Sequence, residues 1–167
     1  PNEYDCWWNF DTLPNVNETD PDYMDFVITG KDSVLHHWMN EGIAGWRLDV
    51  IDELPPTFSK TFFAELKKRN PDAVMIGEVW EDASNKVAYG TPREYLSGNE
   101  MDSAMNYPLR TMMLDFLTGA VDGHQTARRL ASQIENYPKE NLYAMMNLIG
   151  SHDVQRAITV LAGVPYY

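Results

Sequence analysis

Two carboxylates and an arginine of this sequence lie in short apolar segments, where charged side chains need an explanation. The segment GWRLDV places Arg47 and Asp49 two residues apart, and the segment GEVW carries Glu78. On a strand, side chains two apart point to the same face, so Arg47 would pair with Asp49 and keep it ionised. Carboxyl groups about 5–5.5 Å apart suit retaining glycoside hydrolysis, one as nucleophile and the other as general acid and then base. Taken alone, a buried Arg–Asp pair such as Arg47 and Asp49 is more often a structural ion pair than a catalytic site.

Two further polar residues follow a later apolar segment. NLIGSHD ends in His152 and Asp153. His152 could donate a hydrogen bond to a sugar hydroxyl, and Asp153 could hold two hydroxyls and stabilise positive charge on the ring. Alternatively, Asp153 only caps the helix that follows. Trp80, directly after GEVW, offers either a flat face for a sugar or a core contact.

These groups need a sheet that presents all of them at one edge. Local patterns predict a first helix that begins at the N-cap Asp20 with Pro21 after it and is closed by Gly42. Periodicity and turn residues then predict four strands, at 43–51, 73–80, 102–108 and 141–150. Further helices are predicted in 57–71, with Pro71 beyond the end, and at 109–119 and 123–137. A short helix is predicted to start in 91–96, and the segment 151–163 is predicted to lead into a final helix.

The alternation of strands and helices favours an α/β fold with a parallel sheet and helical crossovers. The near-continuous apolar strands fit a sheet covered on both faces. Asp49, Glu78 and the pair His152–Asp153 all lie at or just beyond the C-terminal ends of predicted strands. In α/β barrels that end carries the active site. The sequence therefore predicts that these groups form one site.

Composition limits the partners. The net charge is −12, which repels phosphates and argues against nucleic acid or an anionic membrane surface as a partner. No apolar run approaches the ~20 residues of a membrane-spanning helix. Cys6 is the only cysteine, so no intrachain disulfide holds the fold together. We expect a cytoplasmic protein that binds a neutral partner or a cation.

Three motifs, in order and at the right spacing, resemble those of the α-amylase family of glycoside hydrolases. GWRLDVIDE resembles the strand-four motif with its arginine and nucleophilic aspartate, GEVW the strand-five acid/base motif, and NLIGSHD the strand-seven motif ending in His–Asp. Upstream, WWNFDTLPNVN resembles the segment that leads out of the inserted loop domain in neopullulanase- and cyclomaltodextrinase-like members. The resemblance runs through nearly the whole chain.

The resemblance implies a partial TIM (β/α)8 barrel that comprises strand units four to seven. Residues 1–19 would be the end of the inserted loop domain, and residues 20–167 the barrel strands with their helices. It also implies a role for each motif residue: nucleophile for Asp49, acid/base for Glu78, transition-state stabilisation for Asp153, and substrate binding for Arg47, His152 and Trp80.

No cofactor and no metal are expected. The family often has Asn, a calcium or hydrogen-bond position in some members, where this sequence has Asp52. Asp20, Asp22 and Asp25 suggest a cation site at first sight. Acidic residues in the first turn of a helix are, however, ordinary partners of the helix dipole.

The implied activity is retaining hydrolysis of α-glucosidic bonds in maltodextrin, cyclodextrin, pullulan or starch. Two alternatives stay open: an α-glucanotransferase with the same catalytic residues, and a non-catalytic carbohydrate-binding or assembly module on a degenerate barrel. The resemblance also implies that the remainder of the barrel is a missing partner. We therefore expect the isolated chain to be inactive and to form a homodimer through exposed barrel interior and edges.

Overall fold

The computed structural model describes residues 3–163. The helices are α1 (Pro21–Met24), which continues as a π-helical turn (Asp25–Thr29), α2 (Val34–Asn40), α3 (Pro56–Arg69), α4 (Tyr107–Leu117), α5 (Gly123–Asn136), α6 (Lys139–Tyr143) and α7 (Ala157–Leu161). Short 3-10 helices occupy Trp7–Asn9 and Ile51–Glu53. The strands are β1 (Gly45–Leu48), β2 (Val74–Gly77), β3 (Val87–Ala88), β4 (Thr91–Pro92) and β5 (Ser103–Ala104).

A parallel sheet in the order β1-β2-β5 is the centre of the fold. Leu48 pairs with Gly77 at the last position of the β1–β2 ladder, so Asp49 and Glu78 follow their strands side by side. A parallel bridge between Met105 and Met146 continues the sheet beyond β5. The sheet with its flanking helices is a partial barrel, as the sequence predicted.

Helix α3 covers one face of this sheet because its apolar residues recur every three to four positions. Phe58, Phe62 and Leu66 are buried, and Lys67–Arg69 place positive charge in the last turn, where the helix dipole favours it. The ring of Phe62 meets that of Trp46 on β1 edge to face at 5.4 Å. This packing fixes the position of β1 and of the residues that follow it.

Two glycines allow the close packing of the sheet. A Cβ on Gly45 would lie 2.1 Å from the Val74 carbonyl oxygen, and one on Gly77 would lie 2.5 Å from the Met101 sulfur. Neither position has room for a side chain. Gly77 therefore lets the core close directly beneath Glu78.

The single helix predicted from Asp20 to Gly42 is wrong, because the helix is interrupted between Gly30 and Ser33. The Ser33 hydroxyl donates to the Ile28 carbonyl at 2.9 Å and accepts from the His36 N–H at 3.3 Å. Ser33 thus caps a second helix, α2. The predicted helix at 91–96 is also wrong: Thr91 and Pro92 form β4, which pairs with β3 in a hairpin.

The fourth predicted strand, 141–150, is reduced to the bridge at Met146, and α6 occupies its first part. Asn141 explains the difference. Its side-chain amide donates to the Asp102 carbonyl at 2.6 Å, and its own carbonyl accepts from the Ser103 hydroxyl at 2.6 Å. These bonds satisfy the backbone through side chains and hold the helical turn against β5.

Within residues 3–163 no helix has the length and apolar character needed to cross a membrane.

Candidate active site

Arg47 contacts both carboxylates predicted to do chemistry. Its Nη1 atom is hydrogen-bonded to Asp49, and its Nη2 atom lies 3.1 Å from Oε2 of Glu78. The parallel register of β1 and β2 brings this about, because the two strands end side by side. The guanidinium group therefore lies against two carboxyl groups at the C-terminal edge of the sheet.

Glu78 is almost fully buried, at 4% exposure, and each of its oxygens has a partner. Oε2 accepts from the Val50 backbone N–H at 2.8 Å in addition to its contact with Arg47, and Oε1 accepts from the Trp80 indole N–H at 3.1 Å. A buried carboxylate is tolerated only with such partners. Asp49 differs, since 74% of its side chain is exposed.

The turn after Asp49 is strained. Val50 has φ 40° and ψ 55°, a left-handed conformation that is a genuine outlier for a β-branched residue. Such strain persists where the surrounding structure enforces it, often at functional sites. Here the conformation accompanies the hydrogen bond from the Val50 N–H to Glu78.

An open cavity of about 730 Å³ is lined by most of the predicted site residues. Its lining includes Asp49, Glu78, Trp80, His152 and Asp153. Arg47 is absent from the lining and acts on the cavity through the two carboxylates that it contacts. The cavity is also lined by N-terminal residues that the sequence analysis did not place in the site: Trp7, Trp8, Thr12, Leu13, Pro14 and Asn15.

His152 and Asp153 are neighbours at the cavity rim. His152 Nε2 lies 3.3 Å from Asp153 Oδ2, and 81% of the His152 side chain is exposed. Asp153 does not cap the last helix, because α7 begins at Ala157 with Arg156 as its N-cap. The helix-capping alternative for Asp153 is therefore wrong.

Tyr107 connects Trp80 with the segment that carries His152 and Asp153, and the sequence analysis missed it. Its ring stacks on Trp80 with centroids 4.7 Å apart, and its hydroxyl lies 3.0 Å from the Ser151 hydroxyl. Ser151 Oγ also accepts from the Asp153 N–H at 3.2 Å. Trp80 is 48% exposed and lines the cavity, so it is not a core residue. The only sequence signal for Tyr107 was the Tyr-Pro pair at the start of α4.

Asp52 is engaged in a structural network. Its Oδ2 atom lies 2.9 Å from Lys86 Nζ, and its Oδ1 atom accepts from the Tyr95 hydroxyl at 2.6 Å. Burial alone would lower the pKa of Lys86, but its hydrogen bonds to Glu81 and Asp52 raise the pKa above the usual value. In the part of the chain that the structure describes, no three His, Cys, Asp or Glu residues are grouped so that they could hold a metal ion.

The parallel sheet, its flanking helices and the order of the motifs define the class of protein. Residues 2–165 match the family described as "Alpha amylase, catalytic domain". The chain belongs to this family.

Similar proteins include an amylopullulanase, a cyclomaltodextrinase and a debranching enzyme. The chain is 33% identical to an amylopullulanase from Thermoanaerobacterium saccharolyticum, over 94% of this chain and 13% of that protein. It is 33% identical to a cyclomaltodextrinase from a Bacillus species, over 96% of this chain and 27% of that protein. The debranching enzyme of Nostoc punctiforme has a similar structure, with a TM-score of 0.83, 28% identity, and coverage of 98% of this chain and 35% of that one. The chain thus spans about a quarter or less of the two curated relatives.

Proposed function

We propose that this chain carries catalytic residues of a retaining glycoside hydrolase that cleaves α-glucosidic bonds in α-glucans. The observation that carries the proposal is the contact of one guanidinium group, that of Arg47, with both Asp49 and Glu78 at the ends of adjacent parallel strands. The names of the similar amylopullulanase and cyclomaltodextrinase favour pullulan, cyclodextrin and maltodextrin as substrates.

In the first step, Asp49 attacks the anomeric carbon and Glu78 protonates the departing glycosidic oxygen. Asp49 suits the attack because its carboxylate is exposed to the cavity and oriented by Arg47. On Glu78, Arg47 and Val50 hold Oε2, whereas Oε1 has only the neutral Trp80 N–H as a partner. We assign the transferred proton to Oε1.

In the second step, Glu78 removes a proton from water, the water oxygen attacks the anomeric carbon, and the bond to Asp49 breaks. The proton given up in the first step is thereby regained, and the product retains its anomeric configuration. His152 and Asp153, at the cavity rim, bind sugar hydroxyls, and Asp153 stabilises the positive charge on the ring.

Replacing each carboxylate in the complete protein tests these roles. Asp49→Asn should abolish turnover of maltooligosaccharides and of nitrophenyl maltosides, because every substrate needs the nucleophile. Glu78→Gln should abolish turnover of maltooligosaccharides but spare substrates with a good leaving group, which need no acid. Asp32→Asn, at an exposed carboxylate outside the cavity, is the control. Nitrophenyl maltoside turnover by Asp49→Asn at the wild-type rate would refute the assignment.

Product analysis separates hydrolysis from transfer. The glucanotransferase alternative uses the same carboxylates and differs only in the acceptor. Maltotetraose, which serves as both donor and acceptor, is incubated with the complete protein, and the products are separated by chain length. Hydrolysis gives shorter products alone, and transfer gives products longer than the substrate. A wild-type protein that binds maltotetraose and turns over nothing would be the non-catalytic module.

We also propose that the 167-residue chain self-associates and has little hydrolase activity by itself. Within residues 3–163, β1 pairs only with β2, which leaves its other edge open. Open strand edges pair with other chains. Light scattering at micromolar concentration measures the mass, and a maltooligosaccharide assay measures the activity. A stable monomer would contradict the first part, and amylase-like turnover the second. The cytoplasmic location stays a prediction.

A further inference from the structure

The N-terminal segment forms a closed loop beside the cavity. The Trp7 N–H donates to the Leu13 carbonyl at 2.9 Å, and the Asn15 N–H donates to the Asp5 carbonyl at 2.9 Å. Cys6 and Pro14 form an antiparallel bridge between these bonds. The backbone at both ends of the loop is therefore fixed, and the loop presents Trp7 and Trp8 in a defined position.

Within this loop the backbone at Trp8 is strained. Trp8 has φ 49° and ψ 33°, and Asn9 has φ 64°. The left-handed region costs an L-residue about 1–2 kcal/mol, so a large aromatic residue is a poor choice for it. Strain of this kind points to a role for the side chain that the conformation presents.

Two contacts hold the Trp8 indole, and a further hydrogen bond holds its partner Glu53. One face stacks on Trp7, with ring centroids 4.6 Å apart and planes 4° from parallel. The indole N–H donates to Glu53 Oε1 at 3.0 Å, and the Tyr89 hydroxyl donates to Glu53 Oε2 at 2.5 Å. The ring is thus oriented by packing and by a hydrogen bond, as a rigid binding surface requires.

Trp8 nevertheless remains 61% exposed. Since Trp7 covers one face, the exposure belongs mainly to the other face and the ring edges. Trp8 lines the cavity that also holds Asp49, Glu78 and Asp153. A fixed, flat apolar surface therefore faces the same space as the three carboxylates.

We propose that the free face of Trp8 stacks on a glucosyl unit of the substrate and so determines how tightly longer oligosaccharides bind. The proposal rests on the proposed function. The C–H face of a pyranose ring is flat and apolar, and it packs on an indole as another apolar surface would. The carboxylates around the cavity repel an anionic ligand. A neutral, polyhydroxylated ring fits both conditions.

The test measures binding separately from turnover, in the complete protein with Asp49→Asn as background. Titration calorimetry with maltotetraose should show that Trp8→Ala weakens binding about tenfold. Trp8→Phe restores an aromatic face and should bind within about threefold of the background. Trp8→Leu keeps apolar bulk but loses the flat face on which the sugar ring packs, and it should resemble Trp8→Ala. If Trp8→Ala does not fold, as shown by circular dichroism, Trp8→Leu carries the test.

Trp38→Ala is the matched control, since Trp38 is an exposed tryptophan, at 49%, outside the cavity lining. It should leave the Kd unchanged. A Kd for Trp8→Ala or Trp8→Leu equal to the background overturns the stacking role, and so does a complete lack of maltotetraose binding. If binding depends on Trp8 but the wild type turns over no glucan, the stacking role holds and the hydrolase proposal fails.

Discussion

Tyr107 lies flat beneath Trp80, with ring centroids 4.7 Å apart and planes 14° from parallel. Tyr107 is buried, at 4% exposure, whereas Trp80 is half exposed to the cavity. Because the indole N–H of Trp80 also bonds to Glu78, the stack fixes a side chain that touches the proposed acid/base. The Tyr107 hydroxyl extends the connection to Ser151, next to His152 and Asp153.

We expect Tyr107 to be a positioning residue. Tyr107→Leu should lower kcat/KM for maltotetraose about tenfold, a loss of about 1.4 kcal/mol. Tyr107→Phe keeps the stack, loses only the hydroxyl bond, and should cost about threefold. Steady-state kinetics on the complete protein measure both, with Tyr143→Phe, at a tyrosine 76% exposed, as the control. Equal effects of Phe and Leu would show that the stack contributes nothing.

Arg47 should matter for stability as well as for activity. Arg47→Ala leaves Glu78 buried without a positive partner, so we expect the free energy of unfolding to fall by about 3 kcal/mol. The control is Arg129→Ala, which removes a surface pair with Asp115 and should cost about 1 kcal/mol or less. Urea denaturation measures both.

A double variant separates the buried charge from simple loss of packing at Arg47. Arg47→Ala combined with Glu78→Gln should be more stable than Arg47→Ala alone, because the unpaired buried charge is removed with its partner. A double variant less stable than Arg47→Ala would show that packing, and not charge, dominates at this position.

Gly77→Ala tests the close packing beneath Glu78. The new Cβ would lie 2.5 Å from the Met101 sulfur and 3.0 Å from Ile51 Cγ2. Overpacking of this kind costs about 1–3 kcal/mol. Gly150→Ala is the control, because a Cβ there meets nothing within 4 Å, and it should be nearly neutral. Thermal denaturation that shows the same Tm for both variants would contradict the packing argument.

Alkaline pH should destabilise the fold through two buried tyrosines. Burial raises the pKa of Tyr95, and hydrogen bonding to Asp52 raises it further. Burial also raises the pKa of Tyr137, while its hydrogen bond from the Ala83 N–H opposes the shift. An unfolded tyrosine titrates near pH ~10, so above that pH the unfolded state binds fewer protons than the native state. The stability that the raised pKa values of the two tyrosines contribute is therefore fully present below pH ~10, and it is lost as pH rises toward the native pKa values.

The expected slope is about −1.4 kcal/mol per pH unit for each tyrosine. Urea denaturation between pH 9 and pH 11.5, a range set around the unfolded pKa of about 10, measures it. Tyr95→Phe should remove the contribution of one group, and Tyr143→Phe, at an exposed tyrosine, should leave the slope unchanged. A slope that Tyr95→Phe does not alter would contradict the prediction.

The sequence by itself determined the parallel sheet and the strand ends that carry Asp49 and Glu78. Both follow from local pattern: an apolar segment marks where a strand lies, and helices between strands require parallel pairing. The order of the motifs also identified the family from the sequence, because each motif is a continuous stretch of residues and needs no tertiary contact to be recognised.

Only the tertiary structure decided the contacts made between distant segments. Arg47 meets Glu78, Tyr107 supports Trp80, and Trp8 bonds to Glu53 across gaps of 31, 27 and 45 residues. Periodicity shows which face of an element is apolar, but it does not show which segment covers that face. For the same reason the fourth strand was predicted too long: the side-chain bonds that hold α6 against β5 join residues nearly 40 positions apart. Such bonds override local strand propensity because they satisfy the backbone and side-chain polar groups together.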